Sequence, residues 1–147
     1  MYGGHFTLSL KNAVGLVRKE FMGDLHSSPH QRKMIAEINS VYKSDLIIMD
    51  GVVTFVDGGP MVGTQKNANV FVTGTDKIAV DAVGVAILRI LGTTPEVASG
   101  SIFDQEQIKR AVELGIGITS PDEIEFLTDS EDSKKLVEQI KEKLVGK

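Results

Sequence analysis

Two apolar runs constrain this chain more than any other feature. They are Asp45-Leu46-Ile47-Ile48-Met49-Asp50-Gly51 and Asn69-Val70-Phe71-Val72-Thr73-Gly74-Thr75-Asp76, each ending in an aspartate beside a glycine. Continuous apolar runs of this length, bounded by Gly and Asp, read as parallel strands buried on both faces. In open parallel sheets, ligands collect outside the carboxyl ends of the strands. The expectation therefore places Asp50 and Asp76 on one rim, with the loop from Asp57 through Gly58, Gly59, Pro60, Met61 and Val62 to Gly63 beside them. Val52 to Val56 reads either as a continuation of the first strand past Gly51 or as a separate short strand.

The remaining segments fill in around these strands. Phe6, Leu8 and Leu10 alternate with polar residues, which predicts a half-buried opening strand ended by Asn12. Ser28, Pro29 and Gln31 form a helix-start pattern, with Ile35, Ile38 and Val41 following at helical spacing. Thr75 or Asp76 opens an apolar helix that runs to about Leu91 and stops at Gly92. Another helix begins at Asp104 and ends near Gly115 to Gly117, Ser120-Pro121-Asp122 turns the chain, and Ile124 to Leu127 fits a short strand. Thr128 and Glu131 form a capping box ahead of a final amphipathic helix carrying Leu136, Ile140 and Leu144. Strands alternating with helices predict an α/β layered domain, a mostly parallel or mixed sheet flanked by helices, spanning residues 1–147 as one unit.

Composition narrows the function classes. At 147 residues the chain is long enough for one sizeable core. With no Cys it holds no disulfide, thiolate zinc site or iron-sulfur cluster of its own, and a cytoplasmic location is expected. No apolar run reaches the length of a bilayer span, because Ile78 to Leu91 is short and broken by Asp81 and Arg89. The net charge of -4 is uneven, at +3 up to Lys43 and -7 beyond it. That polarity suits a small anionic ligand near the N-terminal third, whereas an acidic chain without interleaved basic and aromatic residues is a poor nucleic-acid binder.

Several residues carry candidate chemistry. The Gly59, Pro60 and Gly63 loop would let backbone amides approach an anion, or would simply form a tight turn; it fits neither the dinucleotide fingerprint nor the P-loop spacing. Asp50 and Asp76 are candidate oxygen ligands for a divalent cation or an acid-base pair, set against turn and helix-cap roles. Asp81 lies on the buried side of an apolar helix and so needs a partner, either Lys77 or Arg89 in an ion pair or a group in a site. His26 and His30 are four apart, but Pro29 between them works against a shared zinc face, leaving His26 as an acid-base or anion contact.

Taken in order, Thr7-Leu8-Ser9-Leu10-Lys11-Asn12 with Gly15, His26, Asp50-Gly51, Gly59-Pro60 with Gly63, and Thr75-Asp76 with Ala79-Val80-Asp81 resemble the domain of unknown function family DUF362, over Thr7 to about Gly117. Members are usually longer, with a substantial segment upstream of the Lys-Asn motif, and many are joined to ferredoxin-like iron-sulfur segments. The resemblance implies that this chain corresponds to the C-terminal portion of such a protein or to a reduced member. It implies no settled reaction.

The expected function is ligand binding or enzyme-like chemistry in a polar pocket at the carboxyl edge of the sheet. Lys11 and Asn12, with Gly59, Pro60 and Gly63, would hold a small anion. Asp50 and Asp76 would hold a divalent cation or move a proton, and His26, Asp50 and Asp81 are the catalytic candidates. The alternative is a non-catalytic module that docks on an iron-sulfur partner or on an N-terminal half.

Overall fold

The computed structural model describes residues 6–146. Their order is a short helix α1 (Ser9–Asn12), a 3-10 turn over Ala13–Leu16, α2 (Lys19–Ser27), α3 (Gln31–Ile38), a 3-10 turn over Asn39–Val41, β1 (Ile47–Gly58) and β2 (Gly63–Gly74). There follow α4 (Lys77–Leu91), α5 (Pro95–Ala98), α6 (Glu106–Glu113) and α7 (Glu131–Val145), with 3-10 turns at Ile102–Asp104 and Pro121–Glu123. The fold is α/β, but its sheet is neither parallel nor mixed: among the described residues it is a two-stranded antiparallel ribbon of β1 and β2.

The connection explains the correction. Parallel strands need a crossover of a dozen or more residues, usually helical, whereas a short glycine-rich turn can only reverse the chain. Val52 to Val56 continues β1, and Thr64 to Asn67 extends β2 back toward Ala68, so the long loop is mostly strand. Its tip turns through a cis Gly59–Pro60 bond, with Gly58 and Gly59 at positive φ and the Gly59 amide donating to the Val62 carbonyl at 2.6 Å. At Gly63 a side chain would collide with the Asp57 carbonyl, so only glycine lets the strands close here.

Helix α4 is the centre of the core. Ile78, Ala82, Val85, Ala86 and Leu88 are buried, and the ribbon, α1, α6 and α7 all pack on it. Each fully buried Ile or Leu of this kind contributes about 1.5–3 kcal/mol of hydrophobic stabilisation. Asp76 caps the helix by accepting from the Ala79 amide at 2.8 Å, and Gly92 ends it at positive φ, as the sequence predicts.

Three other expectations are corrected. The opening segment is not a strand: Ser9–Asn12 is one helical turn, with Leu10 and Phe6 in the core. Ile124 to Leu127 forms no strand, and Ser120 and Glu123 make a reciprocal capping box around the 3-10 turn before it. The last helix opens two residues later than the Thr128 box implies, with the Ser130 side chain accepting from the Ser133 amide at 3.2 Å.

Candidate functional site

A cavity of about 380 Å³ lies between the α1 segment, α4 and the first half of β1. Six successive residues, Leu46 to Gly51, line it. Side chains of a strand alternate between faces, so a wall of consecutive residues means that the cavity reaches the backbone edge of β1, and Ala68 and Val70 of β2 add the inner face of the ribbon to its lining. Gly84, Ile87 and Leu88 of α4 give it an apolar floor, and Ser9, Asn12, Tyr42, Ser44 and Lys77 bring polar groups. At Gly84 a Cβ would stand 2.6 Å from Leu8 and 3.1 Å from the Met49 sulfur, so the glycine permits the close approach of helix, ribbon and N-terminal segment.

The wall that carries Ser9 is held by Asp81. This carboxylate is fully buried, and its Oδ1 accepts from the Ser9 amide at 2.7 Å, the Ser9 hydroxyl at 2.6 Å and the Leu10 amide at 3.2 Å. Gln107 Nε2 donates to Oδ2 at 3.2 Å. Burial pushes the carboxyl up to about 6, against the pull of these donors. Neither cation weighed as its partner reaches it. Arg89 donates to the Val97 and Ser99 carbonyls, and Lys77 turns to Tyr42.

Lys77 is the feature that sequence reasoning missed, having weighed it only as a partner for Asp81. The residue is 7% exposed; its ammonium donates to the Tyr42 carbonyl at 3.2 Å and sits 3.4 Å from the centroid of the Tyr42 ring. No carboxylate pairs with it among the described residues. Desolvation by burial lowers its pKa. Burial likewise raises that of the Tyr42 phenol, opposed by a hydrogen bond with Ser44 and assisted by the Asp81 charge. The available signal was position: a lysine directly after a helix cap, on a helix that is apolar on most sides.

The other candidates distribute as follows. Asn12 and Asp50 line the cavity, and Asp50 Oδ1 also accepts from the Val52 amide at 2.9 Å within its own strand. Lys11 lies outside the lining, half-buried, with its pKa lowered by burial. Asp76 commits both oxygens to backbone amides, of Ala79 at 2.8 Å and Ile118 at 2.9 Å. His26 is exposed at the end of α2, with its Nδ1 3.0 Å from Gln31 Nε2. The Gly59, Pro60 and Gly63 turn lies at the far tip of the ribbon, roughly 25 Å along the strand from Asp50. Among the described residues no three His, Asp or Glu side chains are grouped to hold a metal ion.

Residues 2–86 match the model of a protein family described as a domain of unknown function, DUF362. The chain belongs to the DUF362 family. The DUF362 match stops short of Gly117, where the motifs had placed its end, yet it takes in every residue lining the cavity except Ile87 and Leu88. No curated protein and no solved structure matches the chain. Among the described residues no helix is long and apolar enough to cross a membrane.

Proposed function

We propose that this chain is a cytoplasmic binding domain that takes a ligand into the cavity beside β1 through an anionic group held by Lys77. One observation carries the reading: the partly buried ammonium of Lys77 in the cavity wall has a carbonyl and an aromatic face for company but no carboxylate. A partly buried cation of this kind gains most from a charged hydrogen-bond partner, and an incoming anion supplies one. Ser9, Asn12 and Ser44 add polar groups around the same space, while the apolar floor excludes water from the rest of the ligand. Asp50 lines the same strand edge, with its exposed side chain on the ribbon face it shares with Ile48. With a single carboxylate there, direct contact with Lys77 is favoured over a bridging divalent cation.

The test is a thermal-shift panel of phosphorylated and carboxylated metabolites and divalent cations, run on the wild type and on Lys77→Met. An anion at about 100 times its dissociation constant stabilises by about 2.7 kcal/mol. The response should vanish in the variant. A response that survives in Lys77→Met, or one to cations alone, rejects this reading.

A second reading, a non-catalytic module docking on a protein partner such as the iron-sulfur protein or N-terminal half implied by the resemblance, has its own support. The outward face of the ribbon leaves Ile48 64% and Phe71 66% exposed, beside Asp50 and Thr73 across the strand pair.

A further inference from the structure

We infer that the cavity beside β1 receives an extended polypeptide strand carrying a carboxylate, which pairs with the free edge of β1 and makes the ribbon a three-stranded sheet. This rests on the reading of Lys77 as an anion anchor and names the class of ligand that it serves.

Three features converge on a strand. The first is the edge itself. β1 has a strand neighbour on one side only, so the backbone N–H and C=O groups on its other side lack ladder partners among the described residues. Exposed edges are normally blunted by proline, lysine or a bulge. Between Ile47 and Gly51 β1 has no proline or lysine, with Asp50 its one charged residue, and its register stays regular from Ile47 opposite Gly74 to Gly51 opposite Val70, shifting only beyond Gly51. A two-stranded ribbon is also marginal alone, and a third strand is its usual remedy.

The second is the shape of the site. The wall of six consecutive residues follows that regular edge, the direction in which an added strand would lie, while Ala68 and Val70 of β2 line the ribbon face behind it. The third is its chemistry. An added strand presents alternate side chains to opposite faces, one set toward the apolar floor at Gly84, Ile87 and Leu88 and the other away from it. Lys77 lines the same cavity without a carboxylate, and an acidic residue on the incoming segment complements it. A compact metabolite would meet the lysine but leave the edge unpaired.

The probe is a blocked peptide of about eight residues, the length of an ordinary strand, alternating valine and threonine around one central glutamate. Hydrogen exchange of the protein amides is followed by NMR with and without it. Strand addition slows alternate amides between Ile47 and Gly51 by at least about tenfold. A version N-methylated at alternate residues gives no protection. Replacing the glutamate by glutamine weakens binding about tenfold in the wild type and leaves Lys77→Met unaffected. No protection by the peptide, while inorganic phosphate or succinate still shifts the Lys77 and Ser9 resonances, overturns the strand inference and leaves the anion reading standing. Equal protection by the glutamate and glutamine peptides removes the anchor instead.

Discussion

Ser9 meets Asp81 twice: its amide at 2.7 Å and its hydroxyl at 2.6 Å both donate to Oδ1, joining positions 72 residues apart in the chain. The Leu10 amide donates to the same oxygen, so one buried carboxylate caps the single turn of α1 and holds the cavity wall against α4. Asp81 is thereby a positioning residue, and what it positions is the polar side of the cavity.

Removing that carboxylate should be costly. Asp81→Ala strands three donors, the Ser9 and Leu10 amides and the Gln107 side chain, while the Ser9 hydroxyl keeps the Lys77 carbonyl at 3.1 Å, and should lower stability by roughly 3–5 kcal/mol. Asp81→Asn keeps an acceptor for Ser9, and a turn of the Gln107 amide restores the fourth bond, so its cost should be about 1–2 kcal/mol. Urea denaturation checks both. Equal losses would mean that the donors find other partners.

The same group sets a pH dependence. In the folded chain its pKa is about 6, raised from 3.8, so between these values the folded state binds the proton more tightly than the unfolded state does. The contribution of Asp81 to stability is therefore fully present below about pH 4 and is lost as pH rises through about 6, by roughly 3 kcal/mol at most. The difference in stability between the wild type and Asp81→Asn, measured from pH 4 to pH 7, should fall over that window. A flat difference would show that the carboxyl titrates alike in both states.

Asp76 should act as a clamp. Its two oxygens tie the start of α4 to the Ile118 amide, so Asp76→Ala should cost about 1–3 kcal/mol. Gly117→Ala should also destabilise, because the added Cβ would collide with the Asp76 carboxylate. Thermal unfolding compares them. A neutral Gly117→Ala would show that this corner yields easily.

Helices α3, α4, α6 and α7 and the apolar segments of β1 and β2 were legible in the sequence, whereas α2 and α5 carried no predicted element and α1 read as a strand. Asp76 before Lys77–Leu91 and Gly92 after it mark α4 at both ends, because caps depend on local chemistry. The direction of pairing was less so: apolar runs from Ile47 and Val70 look alike in parallel and antiparallel sheets, and only the absence of a helical stretch between them distinguishes the two. Alternating Phe6, Leu8 and Leu10 resemble a strand, yet a distant carboxylate at Asp81 holds Ser9 and Leu10 in a turn. Of the residues named from the sequence, Asn12 and Asp50 line the cavity, and both stand beside recognisable elements. Lys77 and Tyr42 escaped because their meeting is a tertiary event, 35 residues apart.

The account turns on whether the Lys77 ammonium is the anion anchor. The most direct measurement is an NMR titration of the wild-type chain and of Lys77→Met with succinate and inorganic phosphate. Saturable shifts at Ser9, Asn12, Ser44 and Lys77 in the wild type, absent from the variant, are the predicted result. Shifts confined to Arg32 and Lys109, which pair with Glu106 and Asp104 on α6 and the turn before it, or identical in both proteins, would contradict it.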